Sequence, residues 1–238
     1  MTIKAVLFDL FDTLIIIRKN PDFNSPSFMR MYKFLSENGV DVPLDRFREA
    51  YNEARDELYA KADPNLEEPH FNIRIALTLK ILGYNYAASS RLVTSASAEF
   101  CREFMKYVYL DEDAEPLLRS LYGKYKLGIV SNYAIPECAF ELIKTYGLEG
   151  LFNVVVVSGA VNKRKPSPEI FNRTLNALGV SAAETVFVGD TMDADIEGAK
   201  AVGMKAVYLK RREEKQADVL PDGTIRNLPE LTSLLQQL

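Results

Sequence analysis

Residues 6–14 read "VLFDLFDTL" (Val6 to Leu14). A nearly continuous apolar run, "KAVLF" (Lys4–Phe8), leads into two aspartates, Asp9 and Asp12, and then into Thr13. A run that is continuously apolar, rather than alternating, suits a parallel strand covered on both faces. Four later runs share that character: "KLGIV" (Lys126–Val130), "NVVVV" (Asn153–Val157), "TVFVG" (Thr185–Gly189) and "KAVYL" (Lys205–Leu209). Helical patterns separate the later runs. Pro136 to Tyr146 stops at Gly147, Ser167-Pro168 opens a helix that stops at Gly179, and Asp193 to Val202 stops at Gly203. Strand alternating with helix predicts an α/β fold around an open parallel sheet with right-handed crossovers.

The first two runs are far apart, and the pattern between them changes. "PSFMRMYKFLSENG" places Phe28, Met31, Phe34 and Leu35 on one helical face and stops at Gly39. "PLDRFREAYNEARDELYAKA" and "SSRLVTSASAEFCREFMKYV" have similar spacing. Residues 18–108 are therefore expected to form a helical insert, and residues 1–17 with 109–238 the sheet core. Loops around Ile15–Pro21 and Tyr109–Asp113 are the expected hinges.

Composition narrows the function classes. The chain has 238 residues, 47% of them hydrophobic, enough for a packed core. A net charge of −4 offers no basic excess for nucleic acid. The mixed stretch "KRREEK" (Lys210 to Lys215) reads as a solvated loop or helix face. No apolar run approaches the roughly 20 residues of a membrane span, and the first residues run straight into a strand pattern. Cys101 and Cys138 lack metal-type spacing and are expected to be buried reduced thiols in a cytoplasmic protein. His70 is the sole histidine. Its setting, "EEPHFN", suggests a helix start and a capping role. The partners expected are small molecules, with neither nucleic acid nor membrane, and the chain is expected to be a monomer or homodimer.

The polar residues fall in one kind of place. Asp9 follows the first strand, Ser131 and Asn132 the second, Lys165 the loop after the third, and Asp190 the fourth. In an open parallel sheet these ends share one edge, where ligands bind at the reversal of strand order. Each residue alone could be a turn former or a surface charge. Together they can converge on one crevice. Two neighbouring carboxylates repel, and a hard cation such as Mg²⁺ relieves that repulsion. A carboxylate can also attack as a nucleophile. Ser131 and Lys165 supply donors and positive charge where negative charge spreads over a phosphoryl group.

These stations, in this order, resemble the haloacid dehalogenase superfamily of hydrolases. "VLFDLFDTL" looks like its first motif, "IVSN" its second, "KRKPSPEIF" its third and "FVGDTMDADIEGAKAVGM" its fourth. The resemblance implies a Rossmann-like core with a helical cap inserted after the first motif. It makes Asp9 the nucleophile. Mg²⁺ would be held by Asp9, the backbone carbonyl of Phe11 and Asp190, with Asp195 as a further acid acting through water. Ser131, Asn132 and Lys165 would hold the phosphate of a small ester. Asp193 has the weaker claim and reads as a helix-start acid.

Phosphatases of the family carry a second aspartate two residues after the nucleophile, as proton donor to the leaving group. Here that position is Phe11, and Asp12 follows it. Asp12 is either a turn former or a displaced acid. The aromatic at position 11 also resembles family dehalogenases, which need no such proton. A metal-independent 2-haloacid dehalogenase is therefore an alternative, with Arg30 as a possible partner for a substrate carboxylate. A binding or regulatory module on the same fold is a second alternative. Gly189-Asp190 and the acids behind them fit a cation, which favours a Mg²⁺-dependent phosphatase.

Overall fold

A computed structural model describes residues 2–18, 24–211 and 219–238. Its strands, in chain order, are β1 (Ala5–Phe8), β2 (Ile15–Ile17), β3 (Val108–Leu110), β4 (Lys126–Ser131), β5 (Val154–Val157), β6 (Thr185–Gly189), β7 (Lys205–Leu209) and β8 (Gly223–Ile225). The helices are α1 (Asn24–Glu37), α2 (Leu44–Ala62), α3 (Phe71–Ile81), α4 (Arg91–Phe104), α5 (Ala114–Leu121), α6 (Pro136–Thr145), α7 (Ser158–Val161), α8 (Pro168–Leu178), α9 (Gly198–Ala201) and α10 (Glu230–Leu235).

Six strands form one parallel sheet in the order β5-β4-β1-β6-β7-β8. Strand order reverses at β1, which lies between β4 and β6. Phe8 pairs with both Ile129 and Val188, so the residues after β1, β4 and β6 emerge side by side. Successive side chains of a strand point to opposite faces. Val6 and Phe8 accordingly enter one apolar cluster, and Ala5 and Leu7 enter another with Phe171 and Phe187. Helices cover both faces, which is why these strands are continuously apolar. Each large side chain so buried contributes about 1.5–3 kcal/mol.

Helices α1–α4 lie between β2 and β3 in the chain, with α1 packed along α4 and α2 along α3. The segments expected as hinge loops are partly strands. Ile15–Ile17 pairs antiparallel with Val108–Leu110, Ile16 opposite Tyr109. Three consecutive β-branched residues favour that extended ribbon over a loop. The remainder of the first expected hinge, residues 19–21, lies outside the described residues. His70 caps α3 as expected, its Nδ1 accepting a hydrogen bond from the Asn72 amide at 3.1 Å.

The cysteines correct an expectation. Cys101 on α4 and Cys138 on α6 are joined in a disulfide, with Cα atoms 5.6 Å apart, linking the insert to the core. Their separation of 37 residues has no readable signature, and only the packing of α4 on α6 brings them together. The pairing removes the support that reduced thiols lent to a cytoplasmic location. Of "KRREEK", Arg211 is tied down rather than solvated: Nη2 donates to Thr13 O at 3.1 Å and Asp111 Oδ2 at 2.7 Å. Residues 212–215 of that stretch lie outside the described residues. Among the described residues, no helix is long and apolar enough to cross a membrane.

Candidate active site

The reversal of strand order collects the expected polar residues. Asp9 leaves β1 with its amide bonded to Val188 O on the neighbouring β6 at 2.9 Å. Asp190 follows β6 directly. Asp195 arrives by a wide helical turn (Met192–Glu197) whose backbone bonds reach five residues back. One carboxylate oxygen from each of Asp9, Asp190 and Asp195 lies within 4.8 Å of the others, and all three residues are buried. Asp193, on the same turn, is exposed and accepts from the Ala194 amide at 2.8 Å. The turn therefore selects Asp195 for the site.

Asp195 is held tightly. Its Oδ2 accepts from the Thr191 amide at 3.0 Å and the Thr191 hydroxyl at 2.7 Å. A Cβ on Gly189 would lie 2.4 Å from the Asp195 Cγ, so only glycine leaves room for that carboxylate. Thr191 was not anticipated from sequence. Its signal is the Thr-x-x-x-Asp spacing after a strand, legible only once the wide turn is known.

Lys165 supplies the positive charge. Its Nζ lies 2.5 Å from Asp9 Oδ1 and 2.7 Å from Asp195 Oδ1. Both contacts are buried ion pairs. Burial alone would pull the lysine pKa down, but Asp195 and Asp9 outweigh it and hold the pKa above its ordinary value. For Asp9 the balance runs the other way. Burial pushes its pKa up to about 7; Lys165 opposes that shift, while Asp195 and Asp190 add to it. Three buried carboxylates thus face one ammonium. A buried all-oxygen donor set from three carboxylates fits a hard divalent cation.

Asn132 acts on Lys165. Its Nδ2 donates to Lys165 O at 2.9 Å, and its Oδ1 accepts from Lys165 N at 2.7 Å. One N–H and the oxygen of the amide are therefore engaged in fixing the lysine backbone, and the residue also lines the cavity beside the site. Ser131, fully buried at the end of β4, differs: its Oγ has no hydrogen-bond partner among the described residues and can donate to a ligand.

Asp12 adopts a left-handed backbone, φ 57°, and its Oδ1 accepts from the Ile17 amide at 3.1 Å. One carboxylate oxygen thus braces the segment that runs from the first motif into β2. The Phe11 ring packs 4.8 Å from the Tyr133 ring and 5.8 Å from that of Phe104. These rings form part of the wall of a cavity of about 750 Å³ between the sheet edge and the helices of the insert. Arg30 is not on that wall. Its Nε lies 2.6 Å from Glu99, an ion pair within the insert.

A sequence profile of haloacid dehalogenase-like hydrolases matches residues 3–203. A glyceraldehyde 3-phosphate phosphatase of Methanopyrus kandleri is 31% identical, over 99% of this chain and 98% of that protein. Among solved structures, a 2-haloacid dehalogenase of Pseudomonas syringae superposes with a TM-score of 0.77 at 25% identity, covering 99% of each chain. A phosphatase of the same family from Thermococcus onnurineus superposes with a TM-score of 0.66 at 29% identity, covering 98% of each. With its parallel sheet, its acids after β1 and β6 and its lysine after β5, the chain belongs to the haloacid dehalogenase-like hydrolases.

Proposed function

We propose that the protein is a Mg²⁺-dependent phosphatase of small phosphate esters, acting through a phosphorylated Asp9. The observation that carries this reading is the buried group of Asp9, Asp190, Asp195 and Lys165. Asp9, Asp190, the Phe11 carbonyl and, through water, Asp195 would hold the ion, which supplies the positive charge that lets a phosphate dianion approach a carboxylate. Asp9 attacks phosphorus through one carboxylate oxygen, and the bond from phosphorus to the ester oxygen breaks. Lys165 and Ser131 bind the phosphoryl oxygens as charge builds on them. Water then attacks phosphorus, releasing inorganic phosphate and regenerating Asp9. Residues 18–108 act as a cap over this site and exclude bulk water during the first step. The glyceraldehyde 3-phosphate phosphatase relative supports a small phosphate as substrate.

Phe11 cannot move a proton, and the Asp12 carboxylate is bonded to the Ile17 amide. The leaving oxygen therefore departs without a dedicated acid. The test is a series of aryl and alkyl phosphates. The expected kcat/KM falls steeply as the leaving group becomes more basic, and falls to background for all of them in Asp9→Asn. A flat dependence would mean that an acid operates after all.

The Phe11 ring and the likeness to a 2-haloacid dehalogenase favour one second reading: displacement of halide by Asp9 without metal. The three buried acids oppose it, because a bound cation would relieve the repulsion that Lys165 leaves.

A further inference from the structure

The cavity beside the site has a wall that the chemistry at Asp9 does not use. Helix α2 presents Arg48, Asn52, Arg55 and Tyr59 to it. Their spacing of four, three and four residues keeps them on one helical face. Arg48, Asn52 and Arg55 are exposed at the mouth of the cavity, and Tyr59 is half-buried. Arg74 joins it from α3. Its Nε and Nη2 each donate to Tyr51 O at 3.3 Å, and its guanidinium carbon sits 3.5 Å from the centre of the Tyr51 ring. This clamp fixes the plane of the guanidinium while leaving Nη1 without a protein partner among the described residues. Arg48 lies over the Phe28 ring at 4.9 Å.

Charge on this wall is unbalanced. Neither Arg48 nor Arg74 forms an ion pair among the described residues, and Arg55 pairs only with its neighbour Asp56, at 2.7 Å. The one carboxylate on the wall is Glu68, which accepts the Tyr59 hydroxyl and whose pKa burial pushes up. Arg74 is half-buried, its nearest balancing charge is the exposed Asp56 beyond ion-pair distance, and a ligand anion would compensate the guanidinium more fully. The opposite wall includes Phe11, Asn132 and Tyr133, from the segments after β1 and β4 that also carry Asp9 and Ser131.

We propose that the substrate's leaving group carries a second anion, a carboxylate or a further phosphate, which Arg74 receives with Arg48 beside it. The inference rests on the phosphatase reading above. The aromatic rings between the two ends accept an apolar body, so the substrate class is a phosphate ester anionic at both ends. Guanidinium suits either anion because its fixed fork matches carboxylate and phosphate oxygens alike.

The experiment compares 4-carboxyphenyl phosphate with 4-carbamoylphenyl phosphate, of nearly equal size, under Mg²⁺, each rate taken relative to the leaving-group dependence of uncharged aryl phosphates. A third arm uses 1,4-phenylene bisphosphate. Wild type is expected to favour at least one anionic ester over the amide roughly tenfold in kcat/KM. Arg74→Gln is expected to bring that ratio close to one, mainly through KM. Should that variant unfold, Arg48→Gln at an exposed position is expected to lower the ratio several-fold. The carboxylate and bisphosphate arms identify which anion is received. Turnover of all three esters with ratios near one in wild type, or a preference that survives both substitutions, would overturn the inference alone. Turnover of none would overturn the phosphatase reading and this inference with it.

Discussion

A shift in how Mg²⁺ stabilises the fold as pH changes follows from the buried acids. Asp9, Asp190 and Asp195 place oxygens within 4.8 Å of one another. At that separation each like-charged pair repels by roughly 3 kcal/mol at an effective dielectric constant of about 20. Lys165 answers only part of this, and the Asp9 pKa rises from 3.8 to about 7. The folded state therefore binds this proton more tightly than the unfolded chain. Asp9's contribution to stability is full below about pH 4 and is lost as pH rises through about 7, on the order of 4 kcal/mol. The raised Lys165 pKa does not alter that window, because the lysine stays charged in both states throughout it. A cation binding at pH 8 displaces no proton from Asp9; at pH 5.5 it must displace one, which weakens binding roughly thirtyfold. A Mg²⁺ concentration a hundred times Kd at pH 8 stabilises by about 2.7 kcal/mol. For a chain of this length that raises Tm by about 5–10 °C. The same concentration at pH 5.5 adds about 0.8 kcal/mol, or roughly 2 °C. Scanning calorimetry with and without Mg²⁺ at the two pH values measures both shifts. Equal shifts at the two pH values, or none at either, would refute the reasoning.

Three substitutions test the parts. Gly189→Ala puts a methyl 2.4 Å from the Asp195 Cγ, so it is expected to cost about 1–3 kcal/mol and to weaken Mg²⁺ binding, read by thermal unfolding with and without the ion. Ser131→Ala removes a buried hydroxyl with no protein partner; Tm is expected to stay within about 2 °C while kcat/KM falls roughly a hundredfold. Cys101→Ser opens a cross-link between residues 37 apart and is expected to cost about 3–4 kcal/mol, lowering Tm by about 8–15 °C relative to the oxidised wild type. Reductant should move the wild type toward that lower value and leave the variant unmoved.

The parallel core was readable because burial on both faces leaves the sequence little choice. "TVFVG" and "KAVYL" span their strands to the residue. Asp9, Ser131, Lys165 and Asp190 were readable because a parallel sheet delivers them to one edge, whatever the loops do. The ribbon of Ile15–Ile17 with Val108–Leu110 was not, because its partner strand is only three residues long and far away in the chain. The Cys101–Cys138 link and the Arg74–Tyr51 clamp depend likewise on how α1–α4 meet each other and the core, which helical periodicity does not specify. Asp195 and Asp193 are two residues apart and chemically alike. Only the wide turn after Thr191, and the room left by Gly189, decide which one enters the site.

Inorganic phosphate released from 4-nitrophenyl phosphate, followed first in Mg²⁺, then after excess EDTA, then after Mg²⁺ is restored, tests most directly whether Asp9 attacks phosphorus beside a bound cation. Release is expected to stop in EDTA, to return with Mg²⁺, and to be missing from Asp9→Asn under every condition. Release that continues in EDTA or in Asp9→Asn, or chloride freed from 2-chloropropionate in EDTA, would contradict it.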